Sequence, residues 1–308
     1  MQTVISVIQT ALPVFLALAL GMLCRRIGFL TREGVDTLKK VVVNLTLPAV
    51  LLSAFATAEY SLSTIAMPVV MFLLCCVALA LGFLVVRLFR IQSRLAPFLA
   101  SGFEAGMLGY ALFVLLFPDK SVSGFAMLDI GHTLFVFTLY KILLSGKTDW
   151  KAIGKDLITT PILWAVFFGV IIGATGLYKA MGTWGVSGVF DGITDFISAP
   201  TGMVILLTVG YDLVPKEIPW KKTAGLMAMR LGVLALVYGL LVVINRNLLG
   251  GMIFEGAALL MCILPPPYVL PVFADEPAER VQTASALSAL TVLTMVLFAV
   301  CCAVTGLG

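Results

Sequence analysis

Apolar runs of roughly 20 residues, the length that spans a bilayer as a helix, recur along the whole of this chain. We read ten of them, at about 4–24, 35–57, 64–89, 95–117, 122–145, 157–177, 191–213, 222–245, 251–273 and 278–305. The links between them are short. Of the 308 residues, 61% are hydrophobic and 12% charged. Soluble domains carry about 25% charged residues, so a soluble globular class is excluded. The first run has no basic residue before it and no small-residue cleavage site, and Arg25 and Arg26 follow it. It therefore reads as a retained first span rather than a leader.

Positive charge alternates between the loops. One side carries Arg25, Arg26, Arg32, Lys39 and Lys40, then Arg87, Arg90 and Arg94, then Lys141, Lys147, Lys151 and Lys155. Lys216, Lys221, Lys222 and Arg280 continue the same side, whereas the other side has only Lys120, Lys179 and Arg246. Basic residues stay on the cytoplasmic face, which predicts ten spans with both termini outside. The net charge of +4 is spread over short loops, so no nucleic-acid partner is expected. The six cysteines lie in or at apolar spans, have no CxxC spacing, and read as small core residues rather than metal ligands.

Two of the runs cannot be continuous helices. In the ninth, Leu264-Pro265-Pro266-Pro267-Tyr268 puts three prolines where a helix interior should be, followed by Pro271. Each interior proline costs roughly 3 kcal/mol and pushes its predecessor out of α geometry. In the fourth, Gly102-Phe103-Glu104-Ala105-Gly106-Met107-Leu108-Gly109 mixes three glycines with a carboxylate, and the break is expected around Gly106. Broken backbone is tolerated in hydrocarbon only where protein covers it or it lines a wet cavity. Two interrupted spans in corresponding positions of two halves point to a transporter's binding site. The halves are visible as offsets: Pro48 and Pro200 lie 152 residues apart, Gly106 and Pro266 lie 160 apart. Five spans per half is odd, so the repeats are inverted, with the joint at Ser145–Asp156. We expect residues 1–148 as the first five-helix repeat and 149–308 as the second.

Glu104 is the sharpest chemical signal, because an acid near mid-bilayer costs on the order of 2.5–3.5 kcal/mol on insertion scales. It reads either as a ligand, cation or proton site, or as a carboxylate bonded to a neighbouring helix. Asp129 and His132 share a face of the fifth run at i,i+3 spacing. Arg230, near the inner end of the eighth, is expected to snorkel to the cytoplasmic interface or to neutralise a buried carboxylate. Tyr268 is expected to use its hydroxyl on a ligand or on freed backbone. Broken-helix N-termini favour anions and loose carbonyls favour cations, which suits an anion moving with H⁺ or Na⁺, or a zwitterion. Gly169 and Gly173 have the spacing of close helix packing. Asp191, Asp195 and Glu255 read as solvated outer edges.

The chain resembles the auxin efflux carrier family of membrane transporters. The motifs are Leu12-Pro13-Val14-Phe15 with Gly21 and Arg25-Arg26, Val43-Asn44-Leu45 with Pro48, and Gly102–Gly109 with Tyr110. Asp129-Ile130-Gly131-His132, Pro200 with Gly210, Arg230-Leu231 and Pro265-Pro266 continue the order. The resemblance implies an all-α, ten-helix 5+5 inverted repeat, similar to sodium/proton antiporters and bile-acid symporters. Spans 1, 2, 6 and 7 would be the scaffold, where homodimers meet. Spans 3–5 and 8–10 would be the moving domain, with 4 and 9 crossing. Family substrates are mostly small organic anions. The family often has Asn where Glu104 and His132 stand here, so both departures add titratable chemistry.

These readings predict a multi-pass transporter of the cell membrane. It would move a small organic anion, amphipathic carboxylate or zwitterion by alternating access, coupled to H⁺ or Na⁺ through Glu104. The expected binding set is Glu104, Gly106, Asp129, His132, Pro265, Pro266, Pro267, Tyr268 and Asn44, with no cofactor. Alternatives are a cation/proton antiporter or sodium-coupled symporter on the same fold, or a metabolite sensor that transports nothing. No Ser/His nucleophile arrangement and no HExxH occurs, so an enzyme is not expected.

Overall fold

The computed structural model describes residues 2–58, 60, 62–145, 159, 161–213, 220–268, 270 and 277–305. All regular structure among them is helical. The helices are α1 (Gln2–Arg26), α2 (Arg32–Ala56), α3 (Leu62–Leu88), α4 (Ala96–Leu99), α5 (Tyr110–Leu116) and α6 (Val122–Leu144). After them come α7 (Pro161–Ala174), α8 (Leu177–Thr183), α9 (Ser187–Ser198), α10 (Thr201–Asp212), α11 (Trp220–Asn247), α12 (Glu255–Ile263) and α13 (Pro277–Thr305). Six described stretches are long and apolar enough to cross a membrane: α2, α3, α6, α9 with α10, α11 and α13. The α7–α8 pair, bent by 62°, makes a seventh if it counts as one span. The expected joint at 145–156, with Lys147, Lys151 and Lys155, falls almost wholly outside the described residues, as do Lys216 and Pro271.

Glycine sets which helices pair. A Cβ on Gly21 would collide with the Leu207 carbonyl, and one on Gly210 with the Leu18 carbonyl, so α1 and α10 lie backbone to backbone. Gly169 and Gly173 admit Phe55 and the Leu52 carbonyl in the same way, seating α7 on α2. The expected packing role of that pair is borne out. Small residues at such contacts let dispersion act between backbones where lipid removes the hydrophobic drive. A second group forms around α3, which packs against α6 and α11, while α11 continues to α12 and α13. Gly131 of α6 rests directly on the Pro68 carbonyl of α3, and a side chain there would not fit. That contact fixes the depth and rotation of its neighbours Asp129 and His132.

Both expected interruptions are present. The fourth run holds only the single turn α4, then an open stretch at Gly102–Glu104, then a π-helical turn at Ala105–Gly109 leading into α5. The opening lies a few residues before Gly106, at Gly102, whose φ of +69° is the left-handed conformation that only glycine adopts freely. Gly106 itself is within the π turn. In the ninth run α12 stops at Ile263, Leu264 turns extended, and Pro265–Pro267 have no helical bonds.

Candidate functional site

The two interruptions touch. Glu104 N–H donates to the Pro265 carbonyl at 2.8 Å, and the Tyr268 N–H donates to Glu104 Oε2 at 2.6 Å. Gly102 faces the Pro267 ring so closely that a Cβ would lie 3.1 Å from it. One residue thus links both breaks, by its main chain in one direction and its carboxylate in the other. Glu104 therefore makes the bond to a neighbouring segment that was one of its two sequence readings.

Arg230 corrects an expectation. It does not snorkel: it is 2% exposed, and its guanidinium lies across the breaks. Nη1 donates to the Leu99 carbonyl at 2.6 Å, and Nη2 donates to Gly102 and Leu264 carbonyls at 2.9 and 2.7 Å. These carbonyls lost their helical partners when α4 and α12 ended, and buried backbone acceptors must be satisfied somewhere. The planar fork answers three at once. Arg230 stands ten residues into α11, about 15 Å along the axis, which is beyond an arginine's reach back to the helix start. The carbonyls expected to be loose for a cation are therefore taken. Other side chains complete the account. Thr294 Oγ1 donates to the Ile263 carbonyl at 2.6 Å, and the Tyr140 hydroxyl to the Phe98 carbonyl at 3.0 Å.

The Tyr268 hydroxyl does not serve the freed backbone. It meets Thr291 Oγ1 at 3.2 Å, and what Tyr268 brings to the break is its N–H.

Asp129 and His132 form a relay with the opened segment. The buried Phe103 N–H donates to His132 Nε2 at 2.9 Å, so Nε2 is the acceptor nitrogen. The ring proton then sits on Nδ1, 3.0 Å from Asp129 Oδ1. Asp129 also accepts from the Tyr110 hydroxyl at 2.9 Å, on Oδ2, and from Thr133 Oγ1 at 3.4 Å. Tyr110 was not singled out for this. Its signal was its place just past the glycine run, one turn after Gly106, facing the fifth run.

A cavity of about 350 Å³ lies over these groups. Its polar wall is Glu104, Tyr110, Asp129, His132, Thr133 and Tyr268, joined by Phe103, Gly106 and Pro267. Its apolar wall is Val43, Leu47 and Leu51 of α2, Val136 and Phe137 of α6, and Ile162 and Leu163 of α7. It thus lies between the α2–α7 pair and the group that carries the breaks. Of the expected set, Glu104, Gly106, Asp129, His132, Pro267 and Tyr268 line it. Pro265 and Pro266 are buried behind, Pro265 through its carbonyl bond to Glu104. Asn44 stands apart: it is exposed, and its amide donates to the Lys40 carbonyl one turn back. Its neighbour Val43 faces the cavity instead, because a π-helical turn at Val42–Thr46 sets the rotation of this stretch.

Glu255, at the start of α12, is held by Arg246 through two 2.8 Å bonds, Nε to Oε1 and Nη2 to Oε2. Tyr178 donates to Asp191 at 3.0 Å.

Residues 6–152 match the model of a family described as a membrane transport protein, the auxin efflux carrier type. The chain is also similar to an "uncharacterized transporter" of Methanothermobacter thermautotrophicus, 26% identical over 212 residues, which cover 67% of each chain. With the apolar helices, these likenesses identify a helical, multi-pass membrane transporter.

Proposed function

From the premise that residues 6–152 carry the auxin efflux carrier-type transport family, we propose that the protein is a secondary transporter of a small organic carboxylate or amphipathic zwitterion. The observation that carries this reading is the position of the cavity. It lies where two interrupted segments meet, and it separates a glycine-packed pair of helices from a group built on α3, α6 and α11. A site between two packed bodies is what alternating access needs, since movement of one body past the other changes which side the site faces.

The architecture we assign is the ten-span 5+5 inverted repeat, with halves at 1–148 and 149–308. The α1–α10 and α2–α7 contacts support a scaffold of spans 1, 2, 6 and 7. The mixed lining, mostly apolar with polar groups from α6 and the breaks, suits a solute with a hydrocarbon body and a charged end. We place the protein in the cell membrane with both termini outside, as a homodimer through the scaffold. Single-cysteine labelling from each side and crosslinking in membranes test those two assignments.

Coupling to H⁺ or Na⁺ is assigned to Glu104. Loading its carboxylate competes with the Tyr268 N–H bond that joins the breaks. Glu104→Gln keeps an oxygen acceptor for that N–H but cannot take a proton or pair with a cation. In proteoliposomes it is expected to fold and to lose uptake driven by a pH or Na⁺ gradient. Gradient-driven uptake at the wild-type rate would overturn the assignment.

A further inference from the structure

We propose that His132 is a proton-gated carboxylate seat: a proton at Nε2 turns the His132–Phe103 contact from a closed internal bond into two adjacent donors for one carboxylate. The inference rests on the reading of the cavity as a solute site, and it names how that site chooses its solute.

The Phe103 N–H ends on Nε2 at 2.9 Å, which requires a lone pair there. With Nδ1 directed at Asp129 Oδ1, the ring is neutral in this arrangement. A proton on Nε2 removes that acceptor. Two N–H groups then face each other across the old bond, and they repel. A buried N–H does not stay unpaired without cost. Both residues line the cavity, so the nearest relief is an acceptor placed there. A carboxylate offers two oxygens to two neighbouring donors, as it does to the fork of an arginine. Asp129 keeps hold of Nδ1–H and stabilises the cation that forms.

The surroundings explain why the proton is needed. The ionisable groups around this ring are Asp129 on its own helix, Glu104 and Tyr110 from the fourth run, Tyr268 from the ninth and Arg230 from α11, with Cys75 of α3 near Asp129. From α2 and α7 the cavity receives only apolar side chains among the described residues. A carboxylate entering the neutral site meets two acids, Asp129 and Glu104. Arg230 offsets them but stands behind the Phe103 ring, its guanidinium carbon 5.8 Å from the ring centre, with its bonds given to backbone carbonyls. Imidazole is the side chain that adds a charge nearest neutral pH, so one proton and one carboxylate are taken up together.

The chain has one histidine, so ¹⁵N-histidine labelling of the full-length protein reports this ring alone. The probes are sodium malonate and sodium butyrate, with sodium chloride as control, followed from about pH 5 to 8. The expected spectrum at the alkaline end is the neutral Nδ1–H form. Malonate or butyrate added at fixed pH should convert it to the doubly protonated ring, and the control should not. Binding of the responding carboxylate should weaken about tenfold per pH unit on the alkaline side, the slope of one linked proton. His132→Gln can accept the Phe103 N–H but cannot be protonated, so it should fold and lose that slope.

A ring that neither carboxylate moves overturns the proposal, and so does an unchanged slope in His132→Gln. Carboxylate flux with no pH dependence would sink the seat and leave the transporter standing. An imidazole response without flux would do the reverse.

Discussion

The α1–α10 contact and the junction of the two breaks both bring main chain against main chain, and they do it by opposite means. At Gly21 and Gly210 the helices stay intact, and closeness comes from deleting side chains. At Glu104 and Pro265 the helices are open, and closeness is held by side chains put there to replace lost bonds. The first arrangement has one packing. The second is held by several hydrogen bonds between side chains and opened backbone. A rigid pair and a negotiable junction on either side of one cavity is the contrast that matters for transport.

The largest test of the contrast is Arg230→Met. It orphans the Leu99, Gly102 and Leu264 carbonyls at about 1–3 kcal/mol each, so roughly 3 kcal/mol or more is at stake. Detergent-solubilised protein should lose most of its folded fraction by fluorescence-detected gel filtration. Arg230→Lys should recover part of it, because an ammonium brings charge without the three-way fork. Equal stability of both variants would mean the junction is held by something else.

Gly210→Val comes next. It forces a side chain onto the Leu18 carbonyl, an overpacking cost of about 1–3 kcal/mol. Melting temperature should fall, while carboxylate affinity of the folded fraction at fixed pH should not change. A lost affinity with unchanged melting would show that the two regions are not separate.

The smallest effect is expected of Asn44→Ala, within about 0.5 kcal/mol in stability and without change in solute binding. Its side chain serves only the preceding turn in this arrangement. Abolished binding would extend the site along α2 and redraw the apolar wall.

Much of the junction was legible. Three consecutive prolines disqualify a helix by covalent chemistry alone, a glycine-rich acidic stretch weakens one, and both breaks occur in those runs. Asp129 and His132 were legible as a pair, because i,i+3 spacing fixes a shared face. The exact opening at Gly102 rather than Gly106 was not. Three glycines offer three places to leave the helix, and the choice falls where the left-handed residue can lie against Pro267. Arg230 was misjudged from its nearness to a helix end. The positions of the carbonyls it serves depend on where two other segments stop, and no spacing within α11 records that. Asn44 was misplaced because a π turn rotates the faces that a regular helix would present.

By itself the sequence determined that this chain is helical, lipid-embedded and interrupted twice, since hydropathy and proline geometry are properties of short stretches. Only the tertiary structure decided what completes the interruptions. A backbone group that loses its own helix can be satisfied by any donor or acceptor brought near it. Which one arrives is settled by packing between segments more than a hundred residues apart, as Arg230 and Leu99 are.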